Sequence, residues 1–310
     1  KQPAQQGEPL TRLQKTITAA AACMALLLTG TACGSATSTG NSANSNVKNT
    51  ITVAASINQW GTLAKELGGD LVEVNSIIHS TNVEAHDYEP TTADVNRLHN
   101  ATVAIVNGAD YDPWAIKGAA NGKATVVNAA EAGGKKDGDN PHVWFSANVR
   151  AKTADAITAA YRKAMPAKAS EFSKLNKAWQ AKETELEDRI AKNEEATKGM
   201  TYGAAESVAH YLADDLGMID RTPTGYAQAT ANESEPTPGD ITQFTNALKH
   251  KRISMLILNP QEANATTRQI TDAAKKADVP IIEISEQMPS NYNSLLDWMS
   301  ALVSAIGHTS

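Results

Sequence analysis

From Thr50 onward, short apolar runs alternate with longer stretches whose apolar residues recur at helical spacing. Residues 51–56, 71–78, 103–107 and 124–128 are rich in Val and Ile and read as strands. Residues 60–67, 92–98 and 114–119 read as the helices between them. Strands that alternate with helices imply βαβ units and a parallel sheet covered on both faces. The pattern changes over 147–164, an Ala-rich helix without Gly, and again at Pro166, which suits the first turn of a second helix. That helix runs to Thr197 and carries Phe172, Leu175, Trp179, Leu186 and Ile190 on one apolar stripe. At ~1.5 Å per residue it is about 45 Å long, enough to cross two lobes. The α/β pattern then resumes: strands over 200–204, 253–258 and 279–284, and helices over 206–216, 264–277 and 292–306, with Gly217 ending the first. The expected fold is α/β, two similar lobes with parallel sheets joined by a helical backbone. The lobes are expected at 50–146 and 199–310, with connecting helices at 147–198.

The N-terminal pattern is of another kind. Arg12 and Lys15 precede an apolar run over 17–28, and Thr31-Ala32-Cys33 supplies small residues before a cysteine. The run is shorter than the ~20 residues that span a bilayer and reads as an export signal of lipoprotein type over 1–33. Cys33 is the expected acylated residue, although Gly30 stands three positions before it where a leucine is usual. The residues before Leu10 lack an initiator Met and read as an extension outside the fold. Residues 34–49 are nearly all small and polar, the composition of a flexible tether. Signal, cysteine, tether and body together are the layout of a chain held at the outer face of a membrane. One acyl chain anchors only marginally, so stable attachment calls for more than one.

Composition narrows the chemistry. With 41% hydrophobic and 20% charged residues, the 310-residue chain is an ordinary globular protein. A net charge of -6 argues against a nucleic-acid partner. The two cysteines, Cys23 and Cys33, both precede the body, which excludes a disulfide framework or a thiolate metal site there. No GxGxxG, P-loop, HExxH, GxSxG or CxxC pattern occurs. Asp137-Gly138-Asp139-Asn140 looks calcium-like but lacks the glutamate at the twelfth position, and reads as a solvated turn.

Of the seven histidines, His86 and His142 stand apart. Each lies in a loop beside a proline and an aromatic residue, in Ala85-His86-Asp87-Tyr88-Glu89-Pro90 and in Asn140-Pro141-His142-Val143-Trp144. An imidazole so placed can offer a lone pair to a metal in a cleft, or serve as a structural histidine. His210 is a weaker candidate, on the same face as Glu206 of an expected helix.

These two segments, with Asn107-Gly108, Asp112-Pro113-Trp114, Glu235-Pro236-Thr237-Pro238 and Asn259-Pro260-Gln261, carry a resemblance that covers most of the body. The chain resembles the metal-binding lipoproteins of bacterial ABC importers, the zinc- and manganese-uptake substrate-binding proteins. The resemblance implies two α/β lobes bridged by a long rigid helix, with a divalent metal between them. It places His86 and His142 on the two ligands of the first lobe. The third position, histidine in many zinc members and glutamate in many manganese members, falls on Glu206, just inside the helix that opens the second lobe. The fourth, usually aspartate, falls on Glu286 beyond the last strand, with Glu283 inside the strand as competitor. Two imidazoles and two carboxylates would balance a divalent charge and suit Zn²⁺ or Mn²⁺. Zinc members often carry a His-rich loop before the second histidine, and residues 131–140 have none. Asp87, Glu89 and Asn107 are candidate acceptors for the ring N–H groups.

The expected function is capture of zinc or manganese between two lobes and delivery to an ABC permease, from the outer face of the cytoplasmic membrane, without catalysis. A surface adhesin with a structural metal and a metal-dependent hydrolase are the alternatives.

Overall fold

The computed structural model describes residues 50–83, 85, 88–120 and 122–309. The export signal, the tether, Cys33, His86 and Asp87 lie outside the described residues.

The first lobe runs β1 (Ile51–Ile57), α1 (Asn58–Gly68), β2 (Val72–Ile78), α2 (Thr92–Asn100), β3 (Val103–Val106), α3 (Pro113–Ala119), β4 (Thr125–Asn128) and the short α4 (Ala129–Ala132). Its four strands are parallel in the order β2-β1-β3-β4, with Val53 opposite Val74 on one side and Val103 on the other. All four residues of β3 are buried, because helices cover both faces of the sheet.

Two helices follow, α5 (Ala147–Ala164) and α6 (Ala169–Thr197). The 29 residues of α6 extend about 43 Å at a rise of ~1.5 Å each. Its stripe is buried at Phe172, Trp179, Leu186 and Ile190, while Leu175 is half-buried. Near its start Phe172 packs on Tyr161 of α5, with ring centroids 5.3 Å apart, and Trp179 Nε1 donates to Glu66 of α1 at 3.3 Å. At its far end Thr197 Oγ1 donates to the Leu216 carbonyl of the second lobe at 2.7 Å.

The second lobe comprises β5 (Thr201–Ala204), α7 (His210–Asp215), β6 (Ile219–Asp220), α8 (Thr224–Ala231), α9 (Pro238–Lys249), β7 (Met255–Leu258), α10 (Ala265–Lys276), β8 (Ile281–Glu283) and α11 (Leu295–Gly307). Its parallel order, β6-β5-β7-β8, repeats that of the first sheet. The alternation of a strand is visible in β7. Met255 and Ile257 join the core shared with the first lobe, and Leu256 faces a second cluster with Phe244, Leu248 and Ile270.

One expectation needs correction. The helix expected over 206–216 begins only at His210. The Ala205 N–H still donates to the Ile257 carbonyl at 3.0 Å, so the chain follows β7 past the end of β5 before it turns. Glu206 therefore sits in a bend and shares no helical face with His210. His210 instead lies 3.6 Å from Asp214 on its own helix.

In each sheet the chain passes from its first strand to one neighbour and then crosses to the other side. The crevice opened at the carboxyl ends of such strands is where α/β sheets bind ligands. Here those crevices are at β1/β3 and β5/β7.

Candidate metal centre

The carboxyl ends of both sheets bring three side chains together. Glu206 follows β5 and Glu286 follows β8, while His142 precedes a single helical turn, Val143–Phe145. His142 Nε2 lies 3.2 Å from Glu286 Oε1 and 3.3 Å from Glu206 Oε1. All three are buried, and their ligand atoms lie within 4.8 Å of one another. Ligand atoms about 3.3 Å apart form the edge of a tetrahedron with ~2.0 Å bonds to a central ion.

The imidazole is fixed by Asn140. The Asn140 amide donates from Nδ2 to the carbonyl and hydroxyl oxygens of Ser207, at 3.0 and 2.8 Å, which turns Oδ1 toward His142. That oxygen accepts from the His142 backbone N–H and from ring Nδ1, each at 3.0 Å. With Nδ1 donating, Nε2 is the nitrogen presented to the two glutamates. Burial opposes a charge on this ring, but the adjoining carboxylates of Glu206 and Glu286 outweigh it and push its pKa up to about 9. The cluster thus calls for a cation at Nε2, either a proton or a metal ion.

Each glutamate is also held by its second oxygen. Asn259 Nδ2 donates to Glu206 Oε2 at 2.7 Å. The Tyr111 hydroxyl donates to Glu286 Oε2 at 2.8 Å and accepts from Gln287 Nε2 at 3.0 Å. Tyr111 reaches this point from an unusual turn after β3, in which Gly108, Ala109 and Asp110 have φ of 77, 50 and 61°. A left-handed non-glycine residue costs about 1–3 kcal/mol. The turn is secured by the Asp112 carboxylate, which accepts the N–H groups of Asn107 and Gly108 at 2.7 and 2.9 Å.

The N-terminus of α1 grips the segment that carries Glu286. Gln59 Nε2 donates to the Glu286 carbonyl at 2.5 Å, and Asn58 Nδ2 to that of Met288 at 2.7 Å. Gln261 Oε1 accepts the Glu286 N–H at 2.9 Å, and its Nε2 donates to the Val83 carbonyl at 3.1 Å. The loop expected to carry His86 is therefore tied to the second lobe at Val83. Beyond His86 it is tied to its own lobe, where the Tyr88 hydroxyl donates to Asp94 Oδ2 at 2.8 Å.

Of the four expected ligands, His142, Glu206 and Glu286 stand together, and His86 lies outside the described residues. Glu283 is exposed on β8 and does not join them. Glu89 is exposed too. Asn107 takes no part in orienting His142 through its ring: its Oδ1 accepts from Trp60 Nε1 at 3.0 Å, and its Nδ2 donates to the Pro141 carbonyl at 2.8 Å. The family model for the zinc-uptake complex component A, periplasmic (ZnuA), matches residues 53–308. This chain belongs to the ZnuA family.

Within that family, the chain is 24% identical over 259 residues to the manganese-binding lipoprotein MntA of Bacillus subtilis, across 79% of this chain and 81% of that protein. It is 23% identical over 257 residues to the high-affinity zinc uptake system protein ZnuA of Bacillus subtilis, across 76% and 77%. The periplasmic zinc-binding protein TroA of Treponema pallidum shares the fold, with a TM-score of 0.71 at 16% identity over 84% of this chain and 99% of that one. The residues that sequence reasoning missed in this ZnuA-family chain are Tyr111, Asn140, Asn259, Gln59 and Gln261. Asn140, Asn259 and Gln261 lay inside motifs already singled out, and Tyr111 lay between two of them, but none showed a role without its spatial partner.

Proposed function

We propose that this chain is an extracytoplasmic solute-binding protein that captures Zn²⁺ or Mn²⁺ with His142, Glu206, Glu286 and His86, and delivers it to an ABC permease. The observation that carries the reading is the buried convergence of His142 Nε2 on two carboxylate oxygens at 3.2 and 3.3 Å. Nitrogen and oxygen donors suit both metals, and two carboxylates neutralise a divalent charge in a largely buried site. The relatives support a binding role, since MntA and ZnuA of Bacillus subtilis are named as a metal-binding and a metal-uptake protein. In this reading the chain binds and releases its cargo and performs no reaction on it. Cys33 carries the lipid that holds it at the outer face of the cytoplasmic membrane.

The test is to strip the full chain with a chelator and titrate Zn²⁺ and Mn²⁺ by calorimetry. One ion should bind per chain, and His142→Ala and Glu286→Ala should each weaken binding by at least about 10–100-fold, the loss typical even of outer-sphere changes. Unchanged affinity in either variant would remove that residue from the ligand set. No binding by the unaltered chain would overturn the function.

A further inference from the structure

The two glutamates present their oxygens unequally. Oε1 of each faces His142 Nε2, and Oε2 of each is engaged by a neutral hydrogen-bond donor, Asn259 for Glu206 and Tyr111 for Glu286. We propose that Tyr111 and Asn259 are specificity-determining residues that confine both glutamates to ligation through one oxygen, and so favour a four-coordinate ion such as Zn²⁺ over Mn²⁺. The inference rests on the metal-capture reading above and adds what selects the metal.

The physical basis is the number of donors. Zinc is content with four nitrogen and oxygen ligands in a tetrahedron, whereas manganese prefers six, mostly oxygen. A carboxylate can supply a fifth or sixth donor by swinging its second oxygen onto the ion. Here that swing would break a 2.7 Å bond from Asn259 or a 2.8 Å bond from Tyr111. Neither donor is free to follow. The Tyr111 ring stacks edge-on against Trp144 at 5.2 Å, and its hydroxyl accepts from Gln287. The Asn259 Oδ1 accepts the Gln261 N–H at 3.0 Å. Glutamate in the third position, which by resemblance leans toward manganese, is thereby made to act as a one-oxygen ligand.

The wild-type preference decides nothing, since nitrogen and oxygen sites in general rank zinc above manganese. The change in preference does. Tyr111→Phe keeps the ring and removes only the hydroxyl, and Asn259→Ala releases Glu206. Full-length chains stripped of metal are titrated with Zn²⁺ alone and Mn²⁺ alone, and the bound ions are examined by X-ray absorption. Each variant should lower the ratio of zinc to manganese affinity by about tenfold or more, the scale on which outer-sphere partners act. The coordination number of bound Mn²⁺ should rise in step. Equal losses for both metals, or an unchanged ratio and coordination number in Tyr111→Phe, would overturn the proposal while leaving metal capture intact. Failure of the unaltered chain to bind either metal would overturn both. Should Asn259→Ala not fold, Tyr111→Phe decides alone.

Discussion

His142 lies against two buried carboxylates, and its Nδ1 proton is committed to Asn140. A bare lone pair at Nε2 facing two anionic oxygens is repulsive, so although burial opposes the charge, the carboxylates of Glu206 and Glu286 favour a proton there and push the pKa from the ordinary 6.5 up to about 9. The folded state binds that proton more tightly than the unfolded chain. Its contribution to stability is therefore full below about pH 6.5 and is lost as the pH rises through about 9. A metal ion needs the lone pair and must expel the proton. At pH 7, binding should release about one proton per ion, fading toward none above pH 9. Calorimetry in buffers of differing ionisation enthalpy measures this directly, and release of none at pH 7 would show that His142 is neutral before metal arrives. At this scale the sequence singled out His142, Glu206 and Glu286, which the structure brings together, because each sits in a short motif that the resemblance could match. Tyr111 and Asn259 were not, because their meaning lies in a contact with a glutamate far away in the chain, and one sequence carries no trace of that pairing.

Between elements, the most exacting contact is Arg150 of α5 with Glu183 of α6. Both are buried, with Nη2 2.6 Å from Oε1 and Nε 3.0 Å from Oε2. Arg150 Nη1 also donates to the Trp144 carbonyl at 3.1 Å, two residues beyond His142, so the pair links the long helix to the loop that carries His142. Deleting one partner strands a buried charge. Glu183→Leu should cost about 3–5 kcal/mol, whereas the double change Arg150→Met with Glu183→Leu should recover most of the loss. Urea denaturation of the metal-free chain measures both, and equal losses in single and double variants would contradict the account. The elements themselves were largely legible where periodicity was strong, as in the stripe of α6 and the apolar β3. α4, β6 and α8 escaped notice as elements in their own right. β6 has two residues, both exposed, and α8 buries only Tyr226, so neither has a pattern to read. The start of α9 did carry a signal, Thr237-Pro238-Gly239-Asp240, in which Thr237 and Asp240 cap each other and Pro238 opens the first turn. The misplaced start of α7 shows the opposite case: residues with helical character stay extended while β7 still offers a carbonyl.

For the whole molecule, what matters is how firmly the two lobes are joined beside the candidate metal site. Most of their buried apolar residues form one continuous cluster, running from β1 and β3 through α6 to β5, α7 and α11, apart from the smaller cluster around Phe244 in the second lobe. The last helix, α11, returns to the first lobe, where Trp298 packs on Phe145 with ring centroids 5.6 Å apart. Around the site, side chains of each lobe bond to the backbone of the other: Asn58 and Gln59 to the Glu286–Met288 segment, Asn140 to Ser207, Gln261 to Val83, and the Tyr211 hydroxyl to the Asn140 carbonyl at 2.9 Å. A wide hinge motion would have to break the apolar cluster and these bonds together. A small rotation that slackens only the hydrogen bonds exposes far less apolar surface, and surface exposure is the larger cost. Metal uptake should therefore leave the radius of gyration unchanged within error when metal-free and zinc-loaded chains are compared by small-angle scattering. Hydrogen exchange should instead slow on loading in the segments around residues 83, 140, 207 and 286, and not along α6. A clearly larger metal-free particle, or exchange that changes along the whole of α6, would mean that the long helix is a hinge and that the shared core parts when the site opens.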